Sequence, residues 1–345
     1  MFCWKFPRYL MTLLIFSAIF SCKNGRNQAE TIAIGPGSDP SYKNLNDSIK
    51  QFPSDASLYL QRALRLTRQN AHELAFDDFT KAWTLKPDLD NALPLAANLE
   101  ILGKHSERLN LLESLNHEFP SNEQVSRLLA DAYASSGNNR QALLIYNQMI
   151  ARDSLDSETH YEKGLLLEQL KDTSGAIEAL KKAYSSQGVD TYGLELARLY
   201  AEQKNPRSIQ ICDYILKHDS AALLIDPLFV KGIYYSNMKQ YPLAIAQFDL
   251  CIHRDWKTTD AYLEKGMAYY HMQKYNAAVE TFNMAITVTN TDPDAYYWLG
   301  RSYESLNRKT DAVLNYRKAV LLDKNFSEAM QRIKNLDPGF AEPVR

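Results

Sequence analysis

The sequence predicts an all-α fold: a stack of about eight helix-turn-helix units closed by a helix at each end. Two observations carry this. First, a small residue recurs at spacings of 33 to 35, at Ala63, Ala96, Ala130, Gly164, Ala197, Gly232, Gly266 and Gly300. Second, four further columns keep register with it. A large residue stands three places on (Leu66, Leu99, Tyr133, Leu167, Tyr200, Tyr235, Tyr269, Tyr303), and in most copies alanine stands twelve on (Ala75, Ala142, Ala176, Ala244, Ala278, Ala312). Sixteen on comes a bulky residue (Phe79, Leu112, Tyr146, Leu180, Phe248, Phe282, Tyr316), and nineteen on a small one (Ala82, Ala183, Cys251, Ala285, Ala319). A period of this length marks a repeat architecture, in which one unit cannot bury its own apolar face and stacked neighbours do so.

Residues 1–21 read as a leader. Lys5 and Arg8 precede an apolar run from Leu10 to Phe20. That run is well short of the roughly 20 residues a membrane span needs, and it has the length of a secretory signal. It ends Ile19-Phe20-Ser21-Cys22, which resembles the lipobox of bacterial lipoproteins, although Phe20 stands where a small residue is usual. The resemblance implies attachment of diacylglycerol, with chains of the palmitate type, to the Cys22 thiol and cleavage just before it. Loss of Lys5 and Arg8 with the leader takes the formal charge from −2 to −4. Residues 22–40, with Gly25, Gly35, Pro36, Gly37 and Pro40, read as a polar tether between anchor and body. The residues after Cys22, Lys23-Asn24-Gly25-Arg26, contain no acidic cluster and give no cue for display on the outer cell surface.

Residues 41–55 read as an N-terminal capping helix, Tyr42 to Phe52, stopped by Pro53. The repeats occupy residues 56–326. In the last copy Tyr296, Leu299, Gly300 and Tyr303 fall at i, i+3, i+4 and i+7, one face of a first helix. Ala312, Tyr316 and Ala319 line a second helix. Gly300 and Ala312 let the two axes approach, and the tyrosines fill the space beside them. Asp292-Pro293 and Asp226-Pro227 read as N-cap and first helical residue. Gly103 and Gly137 read as turns, while Pro87 and Pro120 stand where second helices must stop. Two copies depart from the pattern. Arg108 replaces alanine in the second. The fifth lacks a residue near Asn205 and Pro206, so Ser208 or Ile209 takes the alanine place, and it exits through a longer segment, Asp219 to Asp226. Ser327 to Leu336 reads as a polar closing helix within a C-terminal cap and tail, residues 327–345.

The motif Tyr296-x2-Leu299-Gly300-x2-Tyr303 followed by Ala312-x3-Tyr316-x2-Ala319 resembles the tetratricopeptide repeat, a helix-turn-helix unit of about 34 residues. The copy with Gly266, Tyr269, Ala278, Phe282 and Ala285 resembles it nearly as well. The resemblance implies a right-handed superhelical solenoid whose first helices line a concave face where ligands bind. Residues three before, one after and four after the small column are then expected to point inward. In the C-terminal half these are Phe229, Ile233 and Ser236, then Leu263, Met267 and Tyr270, then Tyr297, Arg301 and Glu304. The middle gives Arg127, Asp131 and Ala134, then Tyr161, Leu165 and Glu168, then Leu194, Arg198 and Ala201. Phe229, Ile233, Leu263, Met267, Tyr270, Tyr297 and Arg301 are the candidate groove, for an apolar peptide or amphipathic helix. The other reading of the same strip is packing between neighbouring first helices. The chaperone-type clamp of Lys, Asn and Arg is not expected, because the places one after the small column hold no Asn.

Chemistry is absent from the motifs. The seven histidines are scattered without H-E-x-x-H or paired metal spacing, and no P-loop, dinucleotide fingerprint or G-x-S-x-G occurs. His160 and His271 fall on first helices as lone residues. No catalytic residue, metal or cofactor is therefore expected. A net charge of −2 with dispersed Lys and Arg leaves no basic stripe for nucleic acid. The 21 tyrosines go largely into the repeat columns. Cys212 and Cys251 fall at buried columns, as small hydrophobes rather than a disulfide.

Together these readings predict a non-catalytic scaffold or adaptor, lipid-anchored at Cys22 in the bacterial cell envelope and facing the periplasm. Its partner would be an envelope protein or peptide on the concave face, with the membrane held through the lipid. Two alternatives stand beside it: an accessory subunit that positions a separately encoded envelope enzyme, and a self-assembling structural protein.

Overall fold

In a computed structural model, residues 40–338 are described. The leader, Cys22, the tether to residue 39 and the tail from residue 339 lie outside the described residues. Pro40, placed at the end of the tether by sequence, opens a 3-10 turn, Pro40–Tyr42, that runs into α1 (Lys43–Gln51). Eight helix pairs follow along the sequence. They are α2/α3 (Ala56–Arg68, His72–Leu85), α4/α5 (Leu89–Ile101, His105–Glu118), α6/α7 (Glu123–Ser135, Asn139–Arg152) and α8/α9 (Ser157–Gln169, Thr173–Gln187). Then come α10/α11 (Asp190–Glu202, Arg207–His218), α12/α13 (Asp226–Asn237, Tyr241–Arg254), α14/α15 (Thr259–His271, Tyr275–Val288) and α16/α17 (Pro293–Ser305, Lys309–Leu322). The described chain ends in α18 (Ser327–Leu336). No strand occurs among the described residues.

One turn design ends the first helix of every pair. Asn70, Gly103, Gly137, Lys171, Lys204, Lys239, Gln273 and Asn307 all have φ between 58° and 80°, and each lies seven places after the small residue of its copy. The next residue's N–H then donates back to the carbonyl of the large residue three after the small column. Lys274 N to Tyr269 O at 3.0 Å and Arg308 N to Tyr303 O at 2.9 Å are two examples. This is the six-to-one bond of a Schellman end, which satisfies carbonyls left over when a helix stops. Gly103 and Gly137 are the two glycines of the set; the other six residues adopt the left-handed conformation at a cost that packing of the two helices offsets.

Five of the eight first helices, α2, α4, α6, α8 and α16, are capped at their start by short polar side chains. Asp55, Asp88, Asn122, Asp156 and Asp292 accept from backbone N–H groups two or three residues on. Asp226 does not behave as expected. It is the first residue of α12, follows Ile225 in the cap position and accepts no capping bond. The chain enters α12 in a helical conformation, so the Asp226 carboxylate has no free amide in front of it.

The chain divides into two compact units, Met1–Lys104 and His105–Arg345 as bounded along the sequence, so α4 and α5 fall to different units. In the first unit, Tyr42, Leu45 and Ile49 of the cap are buried, as are Ala63, Leu66, Ala75 and Phe79 of the first hairpin. Arg62 of α2 pairs with Asp78 of α3 at 2.6 Å. In the second unit the helices from α6 to α17 pack in consecutive pairs, and each second helix also packs on the first helix of the next pair. Arg108 is buried where other copies carry alanine, and it reaches Asp131 at 2.8 Å. Ser208 takes the alanine place in the fifth copy and is fully buried, while Ile209 is half-buried. The long exit after α11 folds around Asp219, which accepts from Leu223 N and Leu224 N at 3.0 Å each and pairs with Arg254 at 2.8 Å. The last hairpins share one aromatic core of Phe282, Tyr296, Tyr297, Trp298 and Tyr316, closed by Ala329 and Ile333 of α18.

Candidate functional site

The first helices of the second unit carry the candidate residues, and the small column decides which of them are accessible. A Cβ on Gly266 would stand 2.5 Å from the Phe282 ring, and one on Gly300 2.7 Å from Tyr316. The small column therefore faces the second helix of its own hairpin. A residue three places earlier lies on the same helical face. Phe229 accordingly packs on Phe248, ring centroids 5.6 Å apart, and is 5% exposed. Tyr297 packs on Tyr316 and Phe326 at 5.7 and 5.0 Å and is 4% exposed. Ile233 is 8% exposed. These three are core residues, which corrects the expectation of one continuous open strip. Leu263, Met267 and Tyr270 of α14 are different. They lean on the aromatic core yet keep part of their surface in solvent. Packing and accessibility coexist there.

His160 is likewise a core residue. It is 3% exposed, with Nε2 3.1 Å from the Ser154 carbonyl. His271 is exposed, stacks on Tyr241 at 5.6 Å and lies 6.1 Å from Trp298. Burial of its ring nitrogen surroundings, then the charges of Arg301 and Lys239, hold its pKa below the usual histidine value.

The electrostatics differ along the unit. In the middle, arginines on first helices are neutralised within the chain. Arg127 reaches Glu162 at 2.8 Å, Asp156 at 3.3 Å and Glu158 at 3.4 Å. Arg198 is held by Glu168, Glu195 and Glu202. Asp131, expected inward, is taken by Arg108. In the last hairpin Glu304 accepts from Tyr316 Oη at 2.6 Å and Arg332 at 3.1 Å. Arg301 has no carboxylate. It donates to Tyr297 Oη at 3.2 Å and Tyr270 Oη at 3.0 Å, and its guanidinium lies 5.4, 5.6 and 5.9 Å from the rings of Tyr270, Trp298 and Tyr297.

Two members of this neighbourhood escape sequence reasoning. Trp298 holds the column of Glu162, Glu195 and Glu264, two places before the small residue, and nothing in its spacing distinguishes a core ring from a solvated one. Glu264 finds no hydrogen-bond or ion-pair partner among the described residues; its identity as an acid on an amphipathic helix carries no sign of that isolation.

Among the described residues no cluster of three or more His, Cys, Asp or Glu could hold a metal ion, and no helix is long and apolar enough to cross a membrane. Cys212 and Cys251 are free and buried, and burial pushes each thiol up to about 12.

Family models described as tetratricopeptide repeat match residues 127–190 and 293–326, and one described as TPR repeat matches residues 266–307. Residues 127–190 and 266–326 are tetratricopeptide repeats. No curated protein matches the sequence. Two solved structures superpose with TM-scores above 0.5. A chain of the APC/C hetero-tetramer Cut9–Hcn1 superposes with TM-score 0.52 at 15% identity, covering 86% of this chain and 58% of that one. PilW, a type IV pilus biogenesis factor, gives 0.54 at 16%, covering 62% and 99%. A tetratricopeptide repeat protein from Parabacteroides merdae gives 0.48 at 17%, covering 82% and 98%. This chain thus spans under two thirds of the Cut9–Hcn1 chain it matches. At these identities the likeness is one of fold.

Proposed function

We propose that the protein is a non-catalytic docking scaffold of a bacterial cell envelope. It binds a protein or peptide along the first helices of its C-terminal repeats. Acylated Cys22 and the tether of residues 22–40 hold it at the membrane, facing the periplasm. The observation that carries the docking reading is a contrast along one face. The middle repeats close their first helices with ion networks internal to the chain. On α14, partly accessible Leu263 and Met267 share a helix with Tyr270, whose hydroxyl binds the Arg301 guanidinium of α16, which no carboxylate neutralises. Apolar and aromatic surface next to an arginine is the composition at which binding energy concentrates in protein interfaces. The anchor reading is supported by the basic start, short apolar run and Ser21-Cys22 junction of the leader.

The test is chemical cross-linking in native membranes, with purification of the full chain beside a Ser236→Trp variant. Ser236 is half-buried on α12 and its side chain makes no hydrogen bond, so a ring there obstructs the face with little cost to the repeat. A partner captured by the wild type and lost by a folded variant is the expected result. Equal capture by both would move docking to another surface, and recovery of the chain alone would favour self-assembly.

A further inference from the structure

Arg301 is a half-buried cation whose partners within the chain are all neutral. A guanidinium has five N–H donors in a rigid planar fork. Two are used, on Tyr270 Oη and Tyr297 Oη; the other three meet no acceptor among the described residues. Three aromatic rings fix its position by cation–π contact. The Tyr270 hydroxyl is itself fixed, accepting also from Ser305 Oγ at 3.3 Å. Glu304, one turn further along α16, is already shared by Tyr316 and Arg332. Lys239, from the neighbouring hairpin, adds positive charge at His271, which Arg301 also faces. Arg127 and Arg198, on first helices of earlier repeats, each bind three carboxylates. In the last repeat the acid, Glu304, is bonded to Tyr316 and Arg332 and not to Arg301.

Resting on the docking reading above, we propose that the nest of Tyr270, Tyr297, Trp298 and Arg301 receives a carboxylate side chain of the docked protein. The partner segment is therefore acidic, with an apolar side chain next to the carboxylate to lie on Leu263 and Met267. The chemistry selects this occupant in three ways. A carboxylate matches the guanidinium fork with two parallel hydrogen bonds. Aromatic walls exclude water and strengthen the pair relative to an exposed one. A lysine-bearing segment would meet Arg301 and Lys239 and be repelled.

The probes are two short labelled peptides, one alternating Glu and Leu and the other with Gln for every Glu, titrated by fluorescence anisotropy against the full-length protein. The Glu peptide should bind about tenfold more tightly than the Gln peptide, with the difference shrinking as salt is raised. In Arg301→Gln the two should fall within about threefold of each other, and Arg301→Lys, which keeps the charge without the fork, should lie between. Circular dichroism and melting confirm that each variant is folded; if Arg301→Gln is not, the Arg301→Lys series and the salt dependence decide. Equal binding of the two peptides by the wild type, or no binding of either, overturns the proposal. So does a Glu preference that survives Arg301→Gln. If these fail while Ser236→Trp still loses the native partner, docking on this face stands and the acidic partner does not. If Ser236→Trp retains the partner as well, both readings fall.

Discussion

Glu264, two places before Gly266 on α14, has a carboxyl with no counter-charge among the described residues. Its side chain keeps some solvent access, yet burial by the surrounding protein and then the charge of Asp260 push its pKa up to about 8. An unfolded glutamate titrates near 4.3, so the folded state holds the proton more tightly. The sign follows: this contribution is fully present below the unfolded pKa and is lost as pH rises through about 8. The melting temperature of the wild type should therefore fall relative to Glu264→Gln between about pH 5 and pH 8. Allowing for the solvent that reaches the side chain, the difference should correspond to ~1–2 kcal/mol. Parallel melting curves of the two proteins across that range would refute the assignment. Residues at this scale were the least legible in the sequence. Phe229 and Tyr297 could have been placed in the core from their i, i+3 relation to Gly232 and Gly300, since both must face the second helix. Glu264 could not, because its isolation depends on which acids and cations the neighbouring helices bring near it.

Helices and turns were far more legible, because each is dictated by local chemistry repeated eight times. The closing helix Ser327–Leu336 coincides with its sequence reading, and so does the choice between Ser208 and Ile209 once burial is known. Four turn residues, Lys171, Lys204, Lys239 and Gln273, give no composition signal for a left-handed backbone; Asn70 and Asn307 do, since asparagine tolerates it. Their position, seven after the small column, was the available signal. Gln273→Gly should relieve the φ of 61° and raise stability by roughly 0.5–1 kcal/mol, read as an increase in melting temperature. Gly266→Ala should do the opposite. Alanine is the better helix former by about 1 kcal/mol, but its Cβ meets the Phe282 ring at 2.5 Å, so overpacking should leave a net loss of ~1–3 kcal/mol. The exposed Glu280→Ala on α15 should be nearly neutral beside it. If Gly266→Ala were also neutral, the close approach of α14 and α15 would not be what the glycine serves.

For the molecule as a whole, the sequence period defined the architecture while leaving its division hidden. The break between residues 104 and 105 falls inside the second repeat, the copy in which Arg108 stands for alanine. The anchor belongs to this scale too. Cys22→Ser should move the protein from the membrane to the soluble fraction of lysed cells while leaving the helical content of the repeats unchanged. A variant that stays with the membrane would remove lipidation at Cys22 as the means of attachment. The claim on which the whole account depends is docking along the first helices of the C-terminal repeats, and position-resolved photo-cross-linking in living cells tests it most directly. A photoreactive side chain is placed in turn at Ser236 and Met267 on first helices, and at the exposed Leu250 and Met284 on second helices. The account predicts one protein partner captured from Ser236 and Met267 and none from Leu250 or Met284. Capture from the second-helix positions alone would contradict it.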